Sequence, residues 1–234
     1  MNKLTEEINN LLQTFRKLRD PLQGCPWDKE QDFKSIASCS IEEAYEVADA
    51  IEREDFNDLK EELGDLFFQI IFHSGMAEEK ELFNFEEVVT ELNDKLIRRH
   101  PHVFDNKQEM SASESLEIWE KEKKKEREKK NLTSLMDDIP KNLPSLTRAN
   151  KIQKRAKSVG FDWQNENDVI RKIDEEIDEL KRAKASKNKE DISEEIGDLF
   201  FTLINLSRHY KLEPEDIIRK ANLKFETRFR KMED

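Results

Sequence analysis

The chain has 234 residues, 40% of them charged and 35% apolar, and a formal net charge of −12. That length admits one or two domains, and the thin apolar fraction favours pairing of halves or of chains over a self-sufficient globule. The acidic balance argues against a general nucleic-acid binder, which would carry a basic footprint, and the lack of any run of about 18 apolar residues argues against a membrane span.

The amino-terminal stretch, MNKLTEEINNLLQTFRKLRD, has charges every few residues and no signal-peptide core. A cytoplasmic protein is expected, with Cys25 and Cys39 as reduced thiols. Leu4, Ile8, Leu11, Leu12 and Phe15 predict a helix over 3–19. PLQGCPW at 21–27 breaks it. A second helix is expected over 33–53, with a break near Ser38–Ser40, then a polar turn at 54–57 and a third helix over 58–78. A fourth starts after Asn84 as N-cap and runs to Arg99, where His100-Pro101 ends it. Residues 111–130 read as a charged helix whose lysine-rich end is a solvated face. The first domain is therefore placed at 1–130, a proline-bearing linker at 131–146 and a second domain at 147–234. Helices are expected in the latter over 166–186, 190–210 and 214–231. No strand pattern appears, so the fold class is all-α, a tandem repeat of helical bundles.

The repeat is explicit. Residues 42–71 and 175–204 align without a gap at an offset of 133, with 13 identities in 30 positions. The identities include Glu42, Glu43, Glu46, Glu61, Glu62 and Asp65, matched by Glu175, Glu176, Glu179, Glu194, Glu195 and Asp198. Glu43 and Glu46 share one helix face, as do Glu62 and Asp65. In an antiparallel hairpin, residues at equal height have numbers of constant sum. That sum is 108 for Glu43 with Asp65 and for Glu46 with Glu62, and 374 for both second-half pairs. Each hairpin thus presents a square of four acids, roughly 12–17 Å from the turn at 1.5 Å rise per residue. Four carboxylates so close cannot all stay ionised without cations. Oxygen-only ligands suit a hard divalent ion, Mg2+ or Mn2+, better than zinc. A di-iron site would need Glu-x-x-His, and neither square contains a histidine. The apolar run Leu63, Leu66, Phe67, Phe68, Ile70, Ile71, Phe72 implies cover on several sides. Gly64 and Gly197 weaken their helices, which points to close approach of another backbone or a ligand.

Glu-Glu-x-x-Glu followed by Glu-x-x-Asp, present in both halves, resembles the motif of the MazG family of nucleoside triphosphate pyrophosphohydrolases. GCPWDKEQ and RRHPHVF at 98–104 are similar to the two-domain bacterial members. The resemblance implies an all-α fold that assembles as dimers or larger homo-oligomers. It also implies hydrolysis of a nucleoside triphosphate to monophosphate and pyrophosphate with Mg2+, chiefly at the second half. Glu176, Glu179, Glu195 and Asp198 are the expected metal ligands, with Glu43, Glu46, Glu62 and Asp65 equivalent in the first half. Glu175 or Glu194 would orient water or hold the outer shell. Lys172, Asn222, Lys224 and Arg228 are candidates to meet the phosphates, with Asn93, Lys95 and Arg99 their first-half counterparts. Family members carry a tryptophan-bearing segment after the second half. Here the similar segment, Leu116 to Lys121, follows the first half and the sequence stops at Asp234, so a more open second site is expected.

Phe225 and Phe229 read as core, Trp27 and Trp163 as packing anchors, and the His100/His102 pair as structural. His73 and His209 sit late in their helices, where a cation is favoured. Two rivals to the triphosphatase stand beside it. One is a catalytically silent helical scaffold with a metal-stabilised core. The other is a pyrophosphohydrolase of a narrower substrate such as dUTP or phosphoribosyl-ATP.

Overall fold

The computed structural model describes residues 2–105, 110–130 and 132–233. Met1, Asn131 and Asp234, which bound the expected segments, lie outside them. Eleven helices and no strand occur among the described residues. In order they are α1 (Lys3–Leu18), α2 (Pro26–Glu30), α3 (Phe33–Glu52), α4 (Phe56–Glu79), α5 (Phe85–Arg99) and α6 (Pro101–Phe104), then α7 (Ala112–Lys129), α8 (Ser145–Lys157), α9 (Glu166–Ser186), α10 (Lys189–His209) and α11 (Pro214–Glu233). The chain divides into two compact units, Met1–Lys123 and Lys124–Asp234, the division falling inside α7.

In the first unit α3 and α4 form the dominant antiparallel pair, with α1 and α5 packed on α4. In the second, α9 and α10 form the equivalent pair, and α8 packs on α10. The two hairpins turn by the same device. Glu54 and Lys187 adopt left-handed φ angles of 55° and 59°. The next residue in each, Asp55 or Asn188, caps the following helix through its side-chain oxygen. These positions are 133 apart, the sequence offset of the repeat, so the duplication extends to the backbone turn that sets the register of the acids.

The first core joins Phe15 of α1, Ile36 of α3 and Ile71, Phe72 and Met76 of α4. The Phe15 and Phe72 rings meet edge to face at 5.2 Å, a favoured aromatic geometry. Gly75 is where α1 and α4 come together: a Cβ there would stand 1.9 Å from Phe15 Cε1. The second core is more polar. Val169, Ala183 and Ile204 are buried together with Asn150, Gln153, Thr202, Asn205 and Arg208. There Asp162, in the loop before α9, accepts from Arg208 and from Asn205 Nδ2 at 3.5 Å. Burial alone would push the Asp162 carboxyl up, but the Arg208 hydrogen bond and charge outweigh it and hold the group below its usual range.

Several expectations change. α3 runs unbroken through Ser38–Ser40, because Asp32 and Ser35 close a capping box at its start and Ser38 Oγ bonds back to the Ser35 carbonyl at 3.4 Å. The 21–27 break contains the start of α2, with Pro26 at its first position. His100-Pro101 ends α5 and immediately seeds α6. α8, absent from the sequence-level helices, starts at Ser145. Phe225 and Phe229 are 68% and 47% exposed and stack on each other at 6.1 Å, so they are not core within this unit. Trp27 is 58% exposed rather than a buried anchor. The His73 pKa is lowered by burial, so a cation is disfavoured there; its Nε2 meets Ser40 Oγ at 3.0 Å.

Candidate active site

Both hairpins bring acids together. In the first unit Glu43, Glu62 and Asp65 each offer an oxygen within 4.8 Å of the others. Glu46 completes the set electrostatically. Burial first, then Asp65, Glu46 and Glu62, push the Glu43 carboxyl above its ordinary pKa, and Glu43 also shares a hydrogen bond with Glu46. Glu62 is raised as well, by burial and then by Glu46, Asp58, Asp65 and Glu61. Such shifts mark carboxylates crowded without counter-charge.

In the second unit the convergent oxygens belong to Glu176, Glu179 and Glu195. Burial, then Glu179, Glu176, Asp198 and Glu194, push Glu195 up. Asp198 is exposed and stands at the edge of the group. Glu176 is only 4% exposed, and its Oε2 has no hydrogen-bond partner. An ionised oxygen buried without a partner is costly. It fits a site whose donor is a cation the protein itself does not supply.

The candidate cations divide. Lys172 Nζ reaches Glu175 Oε1 and Glu176 Oε1, each at 2.9 Å, and these bonds hold its ammonium well above the usual lysine range. Its ammonium is paired with both acids. Asn222, Lys224 and Arg228 are exposed on α11, which packs on α8 and α10. Among the described residues no hydrogen bond or ion pair joins them to the acids. The position matching Lys172 in the first unit is Cys39, so that cluster has no such lysine.

One residue was missed in the sequence. Arg182 Nη2 lies 3.1 Å from Glu179 Oε1. With Glu179, Ala183, Ser186, Asp191 and Glu195 it lines a groove of about 370 Å³ beside the acids. The only signal was its position three residues past Glu179 on the same helix. A larger groove, about 650 Å³, lies near α1 in the first unit. It is remote from the acids, and its Arg16 and Arg19 are already paired with Glu78 and Glu79, so the smaller groove is the one with chemical interest.

Two hairpin units, each with a crowded oxygen-only cluster, define an all-α protein with a candidate divalent-ion centre in each half. Residues 31–104 match the family model described as MazG nucleotide pyrophosphohydrolase domain. Residues 147–224 match the one described as phosphoribosyl-ATP pyrophosphohydrolase. The chain is 49% identical over 229 residues to the nucleoside triphosphate pyrophosphohydrolase of Escherichia coli K12, covering 97% of this chain and 87% of that one. It is 43% identical over 227 residues to the nucleoside triphosphate pyrophosphohydrolase/pyrophosphatase MazG of Thermotoga maritima, with 97% and 86% covered. It is also 38% identical to the uncharacterized protein YabN of Bacillus subtilis, covering 99% of this chain and 47% of YabN. The chain belongs to the MazG family of nucleoside triphosphate pyrophosphohydrolases. No described helix is long and apolar enough to cross a membrane.

Proposed function

We propose that this chain hydrolyses nucleoside triphosphates to the monophosphate and pyrophosphate, and does so at the second unit. The observation that carries this reading is the buried, unpartnered Glu176 Oε2 within a cluster whose carboxylates crowd Glu195 and raise its pKa. Glu176, Glu179, Glu195 and Asp198 would hold Mg2+, with Mn2+ as a substitute. Bound there, the ion supplies the positive charge that lets a polyphosphate approach four carboxylates and polarises the phosphorus under attack. The protein's own groups do the rest. Glu176 is fixed by burial and by Lys172, so its free oxygen keeps one direction. Glu175, bonded to Lys172, and Glu194, next to Glu195, are both exposed, and one or the other would orient water or hold the outer shell. Asn222, Lys224 and Arg228, with Lys172, are assigned to substrate binding on the family pattern.

The same family pattern supports a homo-oligomer. Leu63 and Ile70 of α4 are 50% and 43% exposed within their unit, and Phe200 of α10 is 56% exposed. Nothing approaches within 4 Å of a Cβ on Gly64 or Gly197. The close neighbour that would account for those glycines therefore lies outside the unit, and a second copy of the chain is the proposed source.

The test is pyrophosphate release from a panel of triphosphates, with Glu179→Gln and Glu46→Gln assayed separately. Loss of a ligating carboxylate should lower activity by at least about 100-fold for Glu179→Gln, with Glu46→Gln near wild type. The reverse pattern moves catalysis to the first unit. No release from any triphosphate, with ion binding intact, makes the protein a metal-stabilised scaffold. The family match over residues 147–224 gives phosphoribosyl-ATP a specific place in that panel, beside dUTP.

A further inference from the structure

Two cations bracket the second acid cluster along α9, and they are held differently. Lys172, one turn before Glu176, is 29% exposed and bonded to two carboxylates. Arg182, about one turn after Glu179, is 71% exposed and contacts Glu179 through one nitrogen, Nη2. An exposed ion pair of this kind contributes little to stability. A guanidinium has five N–H donors in a planar fork, and with the Arg182 side chain 71% exposed and one nitrogen on Glu179, most of them are open to solvent at the groove it helps to line. The groove runs from Glu179 and Glu195 toward the α9–α10 turn. Its other lining residues are Ala183, Ser186 and Asp191. Ser186 Oγ donates to the Ala183 carbonyl, and Asp191 accepts from Asn188 Nδ2. No aromatic ring lines it to stack on a base, and its three carboxylates, Glu179, Asp191 and Glu195, require divalent cations beside Arg182 before a phosphate tail can enter.

We propose that Arg182 is a substrate-binding residue that holds the pyrophosphate end of the triphosphate. This rests on the reading of the second cluster as the hydrolytic site. Arg182 Nη2 contacts Glu179 Oε1 at 3.1 Å. When Glu179 turns its oxygens to a divalent ion, the guanidinium is released at the groove's edge. There its fork matches two phosphate oxygens, the geometry for which arginine surpasses lysine. As water oxygen bonds to the α-phosphorus, the bond from that phosphorus to the α–β bridging oxygen breaks. The electron pair departs with pyrophosphate, and Arg182 neutralises the charge gathering on that leaving group.

The experiment compares wild type with Arg182→Gln and Arg182→Lys. It measures Mn2+ binding without nucleotide and inorganic pyrophosphate binding with Mn2+, both by calorimetry, together with nucleoside monophosphate binding and steady-state hydrolysis. Loss of one charge-assisted contact should weaken pyrophosphate binding and raise KM by about 10- to 100-fold. Monophosphate binding should be unchanged, Mn2+ binding should not weaken, and lysine should recover part of the loss. Wild-type pyrophosphate affinity in Arg182→Gln overturns the proposal. So does weakened Mn2+ binding, which would make Arg182 a support for Glu179, and so does an equal loss for the monophosphate. A wild-type chain that releases no pyrophosphate overturns the hydrolase reading and this role with it. An active wild type whose glutamine variant binds pyrophosphate normally overturns the role alone.

Discussion

Replacing Lys172 by methionine removes the ammonium paired with the buried Glu176. The Nζ–Oε1 distance is 2.9 Å, and the Glu176 side chain is 5% exposed. Breaking a buried pair from one side costs about 3–5 kcal/mol, because the remaining charge stays in a poorly solvating interior. Two features lower that figure. The lysine side chain is 29% exposed, so water already reaches the ammonium, and its other partner, Glu175, is 57% exposed and gains little from the contact. A loss of about 2 kcal/mol follows, roughly 10 °C in the melting of a unit this size. Methionine keeps the apolar stem, so packing is little altered. The assay is thermal denaturation of wild type and Lys172→Met, first with chelator and then with millimolar Mg2+ or Mn2+. With chelator the variant should melt roughly 10 °C lower. With the divalent ion most of that gap should close, since the ion takes over as counter-charge to Glu176. A gap of equal size in both conditions would refute the reasoning, because Lys172 would then be holding the helix for reasons unrelated to the acids. No gap at all would refute it too, since Glu176 would then not depend on a cation.

Two further outcomes test the packing that presents the site. Gly75→Ala would gain about 1 kcal/mol of helix propensity, but its Cβ would stand 1.9 Å from the buried Phe15 ring; overpacking of about 1–3 kcal/mol or more should prevail, and chemical denaturation reads the net loss. Asp162→Asn should destabilise the second unit by about 3 kcal/mol at neutral pH, since Arg208 is left buried beside a neutral amide. The pH dependence has a definite sign: the Asp162 pKa is lowered in the folded chain, so its contribution is complete above the ordinary aspartate range and is lost as pH falls through the folded value. Acid melting curves of wild type and Asp162→Asn should therefore converge at low pH, and parallel curves would show that the pair is not the source.

The sequence by itself determined the longer helices of both hairpins, their doubling and the height of the acids, but not α2, α6 or α8. Helical periodicity fixes which residues share a face, and a gapless offset of 133 carries that face, the left-handed Glu54 and Lys187 turns and the caps Asp55 and Asn188 from one unit to the other. These are local properties of backbone and neighbouring side chains, so a linear string encodes them directly. Tertiary structure decided the rest. Which oxygens converge depends on side-chain reach across the hairpin, so Glu46 and Asp198 fall outside the converging groups although their repeat equivalents, Glu179 and Asp65, fall inside. Lys172 lies three and four residues before Glu175 and Glu176, so that pairing is legible in the string; that Glu176 is buried while Glu175 stays exposed is decided by packing. The exposure of Phe225 and Phe229, and the groove beside Arg182, also depend on which helix faces lie against one another. Spacing says where a side chain starts; only the packed neighbours decide what it can touch.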